Sequence, residues 1–177
     1  ASNLRKNIHE YLANMAEPFF VSTYFTYPDS IYCQYEDNPL PELGVGSDPG
    51  IFEATPVGLV IDSITGEVDL GASTPGTYTI TNTVAVGGCE YLSAFEFTVS
   101  DTPTADAGPD QNICKGANAN LDGSGGLTYL WTPPVYLDDP VLEDPTVIAP
   151  PTNVFYQLIA YDVNGCADTD DVAIFLY

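Results

Sequence analysis

Four cysteines, one histidine and twenty-five acids are the side chains with which this 177-residue chain can do chemistry. The cysteines are Cys33, Cys89, Cys114 and Cys166. None sits in a CxxC pair, so neither a zinc site nor a dithiol redox motif is indicated. The first two lie 56 residues apart and the last two 52, a near-equal spacing that suggests two modules. Three pairings are open to four cysteines, and a repeat favours Cys33–Cys89 with Cys114–Cys166. Closing loops of that size would stabilise each module by roughly 4 kcal/mol in the chain-entropy model. Persistent disulfides imply an exported protein. The competing reading is four reduced, buried thiols in a cytosolic protein. No signal peptide opens the chain, so Ala1 is read as a mature N-terminus left by cleavage.

His9, the sole histidine, stands near Arg5 and Lys6 and reads as a solvated residue. Nothing in the sequence supplies the rest of a Ser-His-Asp triad around it. Gly123-Ser124-Gly125-Gly126 lacks the lysine of a phosphate loop and reads as a turn. A glycosidase needs two carboxylates at a set spacing in a cleft, which small β-modules rarely offer. No catalytic residue is assigned. Calcium is the one candidate cofactor, because it takes six to eight hard oxygen ligands. Asp101, Asp106 and Asp110 form one acidic group, and Asp162, Asn164, Asp168, Asp170 and Asp171 another. No EF-hand spacing is present, and the competing reading is a solvated acidic face. An isopeptide cross-link would need a buried lysine, and only Lys6 and Lys115 exist.

The elements that position these groups are mostly strands. Residues 1–17 place Leu4, Ile8, Leu12 and Met15 on one helical face, capped by Ser2 and stopped by Pro18. Phe19 to Tyr27 follows as a β-prone run, apolar on both faces. From there the pattern is all β. Gly76 to Val84 alternates threonines with larger side chains, as do Phe95, Phe97 and Val99 with their neighbours. Asp62 to Gly66 reads as a turn joining two short strands. Asp101-Thr102-Pro103-Thr104 reads as a stiff linker. Leu127 to Trp131, Phe155 to Asp162 and Val172 to Tyr177 read as strands, with Asn164-Gly165 as a two-residue hairpin turn before Cys166. Gly87-Gly88 precedes Cys89 in the same way. Many short strands separated by Gly and Pro turns mean sandwiches rather than parallel sheets.

Charge and composition narrow the function classes. The formal net charge is −22, with Arg5, Lys6 and Lys115 as the only bases. Such a chain cannot neutralise a phosphate backbone or dock on an anionic membrane, so no nucleic-acid partner is expected. No apolar run approaches the roughly 20 residues that span a bilayer, so no membrane insertion is expected. At 45% hydrophobic and 12% aromatic residues the chain is too apolar for a disordered acidic tail.

Several segments match a known repeat class. Tyr27-Pro28-Asp29-Ser30-Ile31-Tyr32-Cys33, Pro56-Val57-Gly58-Leu59, Ile61 to Val68 and Ala72 to Ile80 together resemble one Ig-like repeat. Such repeats occur in tandem in large secreted surface proteins of Bacteroidetes, including SprB-type gliding adhesins. Ala105-Asp106-Ala107-Gly108-Pro109-Asp110-Gln111, Tyr129-Leu130-Trp131 and Asp162-Val163-Asn164-Gly165-Cys166 resemble the PKD-like repeat of the same proteins. The resemblance covers roughly residues 27–177. It implies two tandem Ig-like β-sandwiches, export through the type IX system, and an adhesive or structural role at the cell surface. It divides the chain into an N-terminal helix and strand arm (1–26), an Ig-like domain (27–101) and a PKD-like Ig domain (102–177). In antibody domains the disulfide crosses the core, whereas here the second cysteine follows a hairpin, so the bond is expected to clamp one end of a sandwich. The Asp-Ser-aliphatic pattern of Bacteroidetes O-glycosylation is matched at Ser30 and Ser63.

The arm suggests assembly. Leu4, Ile8, Leu12, Met15, Phe19, Phe20, Val21, Tyr24 and Phe25 would dock on a second copy of the chain, adding a strand across the joint. The apolar closing run with Ile174, Phe175 and Leu176 would supply the receiving edge. Head-to-tail contacts of this kind build open filaments. The chain is therefore read as a non-enzymatic extracellular subunit of a surface filament, a homopolymer or a neighbour of other surface modules. A spacer fragment of a long adhesin is the alternative, and a carbohydrate-binding module using exposed members of its 12 tyrosines is a further one.

Overall fold

A computed structural model describes residues 21–177. Among the described residues there are fourteen strands and no helix. The expected helix over 1–17 and the assembly residues Leu4, Ile8, Leu12, Met15, Phe19 and Phe20 lie outside the described residues.

The first half builds one sandwich. Its main sheet has the order β2 (Ile31–Cys33), β8 (Cys89–Ser100), β7 (Gly76–Val86) and β4 (Ile51–Thr55). The two long strands β7 and β8 are joined by Gly87-Gly88. Both glycines take positive φ, 60° and 83°, the conformation that a two-residue hairpin turn requires and that glycine adopts without steric cost. Alternation then sorts the side chains. Tyr78, Ile80 and Asn82 of β7 and Phe97 and Val99 of β8 point inward, while Thr77 and Thr79 stay outside. Opposite them lie the short pairs β1 (Phe25–Thr26) with β3 (Glu42–Leu43), and β5 (Val60–Ile61) with β6 (Val68–Asp69). The turn expected at Asp62 to Gly66 joins β5 to β6, with the Asp62 carboxylate accepting from the amides of Ile64 and Thr65 at 2.8 Å each.

Part of the expected arm belongs to this core. Among the described residues of the β-prone run, Phe25–Thr26 is the strand. Phe25 is 2% exposed and packs edge-on against Phe52 at 5.4 Å between ring centres. Its role as a docking residue is therefore corrected: a large aromatic ring is better covered by its own sandwich than held out for a neighbour. Tyr24 does remain exposed and Val21 half-buried. Asn82, wholly buried, ties this opening segment down. Its amide group donates to the Thr23 carbonyl at 3.1 Å, and its Oδ1 accepts from the Gly50 amide at 2.9 Å. Asn82→Ala removes both bonds in a dry setting, so a loss of about 2–3 kcal/mol in denaturant unfolding is expected.

The second half repeats the plan. Its main sheet has the order β11 (Thr128–Thr132), β13 (Val154–Tyr161), β14 (Ala167–Leu176) and β9 (Gln111–Ile113), faced by β10 (Ala119–Asn120) paired with β12 (Thr146–Val147). Trp131, Tyr156, Leu158 and Ile174 from the main sheet meet Leu121 and Val147 in the core. β14 has partners on both sides, antiparallel to β13 and parallel to β9. The closing run is thus an interior strand, and Ile174 is fully buried. This corrects the expectation of a free receiving edge there. Phe175 and Leu176 are half-buried, with Phe175 edge-on to Phe155.

Each core holds a buried tyrosine whose hydroxyl finds a carbonyl. Tyr27 donates to Gly66 O at 2.5 Å, and Tyr156 to Val135 O at 2.7 Å. Burial, with a smaller contribution from Tyr32, pushes the Tyr27 phenol well above its ordinary value. Burial and then Tyr136 push Tyr156 up to about 12. A raised folded pKa means stability that is complete below the unfolded value of about 10 and is lost as pH rises through the folded value. Thermal melts should fall steadily from pH 10 to 12 for this reason.

Candidate functional site

The site is the joint where the two sandwiches meet. β8 ends at Ser100 and the chain crosses to the second module through residues 101–104. β2 runs parallel to β8, with Cys33 opposite Ser100, so Cys33 is delivered to the same end. On the other side, the hairpin between β13 and β14 presents Asp162 to Cys166. That hairpin has a three-residue loop closed by the Asp162 amide donating to the Cys166 carbonyl at 2.8 Å. Gly165 alone in the loop takes positive φ, 88°. The expected two-residue turn is therefore corrected: Asn164 stays right-handed and Gly165 supplies the left-handed step that suits a three-residue loop.

Cys33 and Cys166 form the disulfide of the described chain, with Cα atoms 5.6 Å apart and 133 residues of separation. The expected pairs Cys33–Cys89 and Cys114–Cys166 are overturned; Cys89 and Cys114 are unpaired and exposed. The reason is the strand layout. Within each module the two cysteines sit at opposite ends of a sandwich whose long strands span ten to twelve residues. They cannot approach within the roughly 7 Å between Cα atoms that a disulfide tolerates. The bond does clamp the end of a sandwich, but to its neighbour.

Hydrogen bonds surround the sulfur bridge. The Asp162 carboxylate accepts from the Cys166 amide at 2.7 Å, the Asn164 amide at 2.9 Å and the Ser100 hydroxyl at 2.6 Å. Asn164 Nδ2 donates to Ser100 Oγ at 2.8 Å, and the Ala167 amide donates to the Tyr35 hydroxyl at 3.3 Å. Partial burial pushes the Asp162 carboxyl up, but the Ser100 hydroxyl and the amides of Cys166 and Asn164 outweigh it and hold the group below its ordinary value. It is thus a charged acceptor that binds three donors, two from its own hairpin and one from the other module. Beside it lies an open cleft of about 580 Å³, walled by residues 100–103, 125–127 and 162–164.

The other acidic residues serve a similar purpose. On β14, Asp168 and Asp170 share the parity of Val172 and Ile174, so they face inward at the joint end of the sandwich. Asp168 accepts from the Ala105 amide at 2.9 Å and Asp170 from the Ala107 amide at 2.8 Å. Asp110 accepts from the Ala173 amide at 2.8 Å. Asp101 accepts from the Thr102 amide and Asp106 from the Gly108 amide, each at 2.9 Å. Asp168, Asp170 and Asp110 fasten the segment after the linker to β14 where ladder bonds are missing, while Asp101 and Asp106 cap their own local turns. Among the described residues they are not gathered into a metal-binding cluster of three or more. Ser30 and Ser63 both lie exposed in turns.

The joint can therefore hold the two modules together, with Ser100 bonded directly to Asp162 across it. The sequence missed the joint because near-equal cysteine spacing pointed inside each module. The signal for it was available in the parity of Asp168 and Asp170 with two buried apolar residues.

No protein-family model matches the chain, and no curated protein matches it in sequence. Among solved structures it is similar to the C-terminal 282-residue fragment of intimin in complex with the intimin-binding domain of the translocated intimin receptor. The TM-score is 0.57 at 16% identity, covering 87% of this chain and 64% of that one. It is also similar to the N-terminal eight Ig domains of Down syndrome cell adhesion molecule, with TM-score 0.47, 13% identity, 87% of this chain and 24% of that one. The insect immune protein hemolin gives TM-score 0.42 and 14% identity, over 90% of this chain and 46% of that one. The chain spans less than two thirds of the intimin fragment. At these identities the likeness is one of fold: the chain consists of Ig-like β-sandwich modules.

Proposed function

We propose that this chain is a non-enzymatic, exported structural module of a cell surface, a stiff two-sandwich unit that holds or spaces adhesive parts. The observation that carries the reading is the Cys33–Cys166 bond, which joins two separately cored modules rather than lying within either. Tandem modules with a short linker normally swing about it. Here sulfur, the Asp162–Ser100 contact and the Ala167–Tyr35 contact oppose that swing. A persistent disulfide requires an oxidising compartment, which fits export. The resemblance of residues 27–177 to tandem repeats of Bacteroidetes surface proteins, and the fold shared with an intimin fragment, support a place outside the cell. Exposed Ser30 and Ser63 would accept O-linked sugar there.

The test is to label intact producing cells with an antibody to this chain, then recover the protein without reductant and map its cysteines by mass spectrometry. Surface labelling, with a peptide linked through Cys33 and Cys166, is the expected result. Protein accessible only after lysis, with all four thiols reduced, would overturn the reading. The intact mass of the same sample reports any added sugar.

A further inference from the structure

The two unpaired cysteines occupy the same places in the fold as the two paired ones. Cys33 ends β2, which runs parallel to the last strand of its module at that strand's C-terminal end. Cys114 directly follows β9, which runs parallel to the last strand of the second module at the same end, Ile113 facing Leu176. Both cysteines open a four-residue turn closed by the same bond, although Gly116 in the second takes positive φ, 85°, where Tyr35 in the first does not. The Cys33 carbonyl accepts from the Glu36 amide at 3.0 Å, and the Cys114 carbonyl from the Ala117 amide at 2.9 Å. Cys89 and Cys166 match likewise: each leaves the hairpin that leads into its module's last strand, after Gly87-Gly88 and after Asn164-Gly165.

The bonded pair thus joins the turn cysteine of one module to the hairpin cysteine of the following module. The free pair holds the complementary halves. Cys89 is a hairpin cysteine and Cys114 a turn cysteine, and neither has its complement from a neighbouring module among the described residues. They also lie at opposite poles. The twelve residues of β8 carry Cys89 about 36 Å from the joint, and the ten of β14 carry the Cys114 end about 30 Å the other way.

We propose that Cys114 of one copy of this chain bonds Cys89 of the next, repeating the internal clamp between copies. The proposal rests on the reading of the chain as exported, because export brings it to a disulfide donor. The Cys114 thiolate attacks a sulfur of a protein disulfide donor, giving a mixed disulfide. The Cys89 thiolate of the second copy then attacks the Cys114 sulfur of that mixed disulfide. The donor leaves as a dithiol carrying the two electrons and the two protons of the cysteines. Because the two ends differ, the contact is heterologous and propagates as an open chain of copies. The side chains that support the internal bond are not repeated at the new joint: Gly116 stands two residues after Cys114, where Tyr35 stands two after Cys33. Sulfur therefore carries this joint, and reductant dissolves it.

The test uses the full chain, oxidised glutathione as the donor, and gels run without reductant. Wild type gives a ladder in multiples of the 18.9 kDa chain that collapses to one band with dithiothreitol. Cys89→Ser and Cys114→Ser each remain single, and an equal mixture of the two gives a dimer and stops there. Wild type that stays monomeric with Cys33–Cys166 intact and two titratable thiols would overturn the proposal and leave the preceding reading standing. Single variants that dimerise alone as readily as their mixture would overturn it too, because any exposed thiol would then suffice. Absence of Cys33–Cys166 from every sample overturns both.

Discussion

Replacing Cys33 and Cys166 together by serine should lower the melting temperature of the second module by on the order of 20 °C and separate its transition from that of the first. The covalent loop contains 133 residues, but much of it is already closed by structure. Cys33 stands opposite Ser100 in the β2–β8 pairing. When only the second module unfolds, the loop that the bond closes runs from Ser100 to Cys166, about 66 residues. In the chain-entropy model such a loop is worth about 4 kcal/mol. For a domain of this size each kcal/mol moves the midpoint by roughly 4–8 °C. Trp131 is the one tryptophan and lies in the second core, so its emission follows that module while circular dichroism follows both. In the native chain the two signals should change together. In the double variant the tryptophan signal should change first. Coincident curves, or a shift of only a few degrees, would show that the joint is held by something other than the bridge. Small-angle scattering gives a second readout, because the freed modules sample a wider range of angles and the radius of gyration rises.

Much of the architecture was legible because strand periodicity is local. The alternation from Gly76 to Val84 reports a real half-buried strand, and the turn at Asp62 to Gly66 reports its own geometry through the Asp62 carboxylate. What was not legible depends on which ends meet in space. A cysteine's partner is set by strand direction across two sandwiches, and nothing local to Cys33 encodes the position of Cys166. The reading of Phe25 as a docking residue failed for a related reason. An apolar run on both faces says only that it must be covered, and Phe25 is covered by Phe52 and Phe95 of its own module. The acidic residues were legible as a group, but the backbone amides they accept from were not. A carboxylate satisfies a backbone amide as well as it ligates a cation, and position on the strand decides. Asp168 and Asp170 face a segment whose amides have no ladder partner, so they serve as acceptors for it.

Trp131→Ala should cost the second module about 3–5 kcal/mol, the usual loss for truncating a fully buried aromatic side chain. The ring is 0% exposed and sits on β11 opposite Leu158 of the neighbouring strand. It is so close to Gly123 that a Cβ there would come within 2.8 Å of its Cζ2 atom. No larger residue at 123 is available to fill the space from that side. Its indole N–H donates to the Leu142 carbonyl at 3.0 Å and more weakly to the Glu143 carbonyl at 3.3 Å. These two bonds hold the loop after β11 against the core. A domain of this size has a total stability of roughly 4–11 kcal/mol, so the loss consumes most of the second module's margin. The intact bridge then becomes decisive. The oxidised Trp131→Ala protein should keep a folded second module at room temperature, and the reduced protein should lose it. Trp131→Phe separates ring from N–H: it keeps most of the volume and should cost about 1–2 kcal/mol. Backbone circular dichroism in urea measures all three, with the first module's transition as an internal reference in each sample. A Trp131→Ala protein as stable as wild type after reduction would mean that the second core is not organised around this side chain.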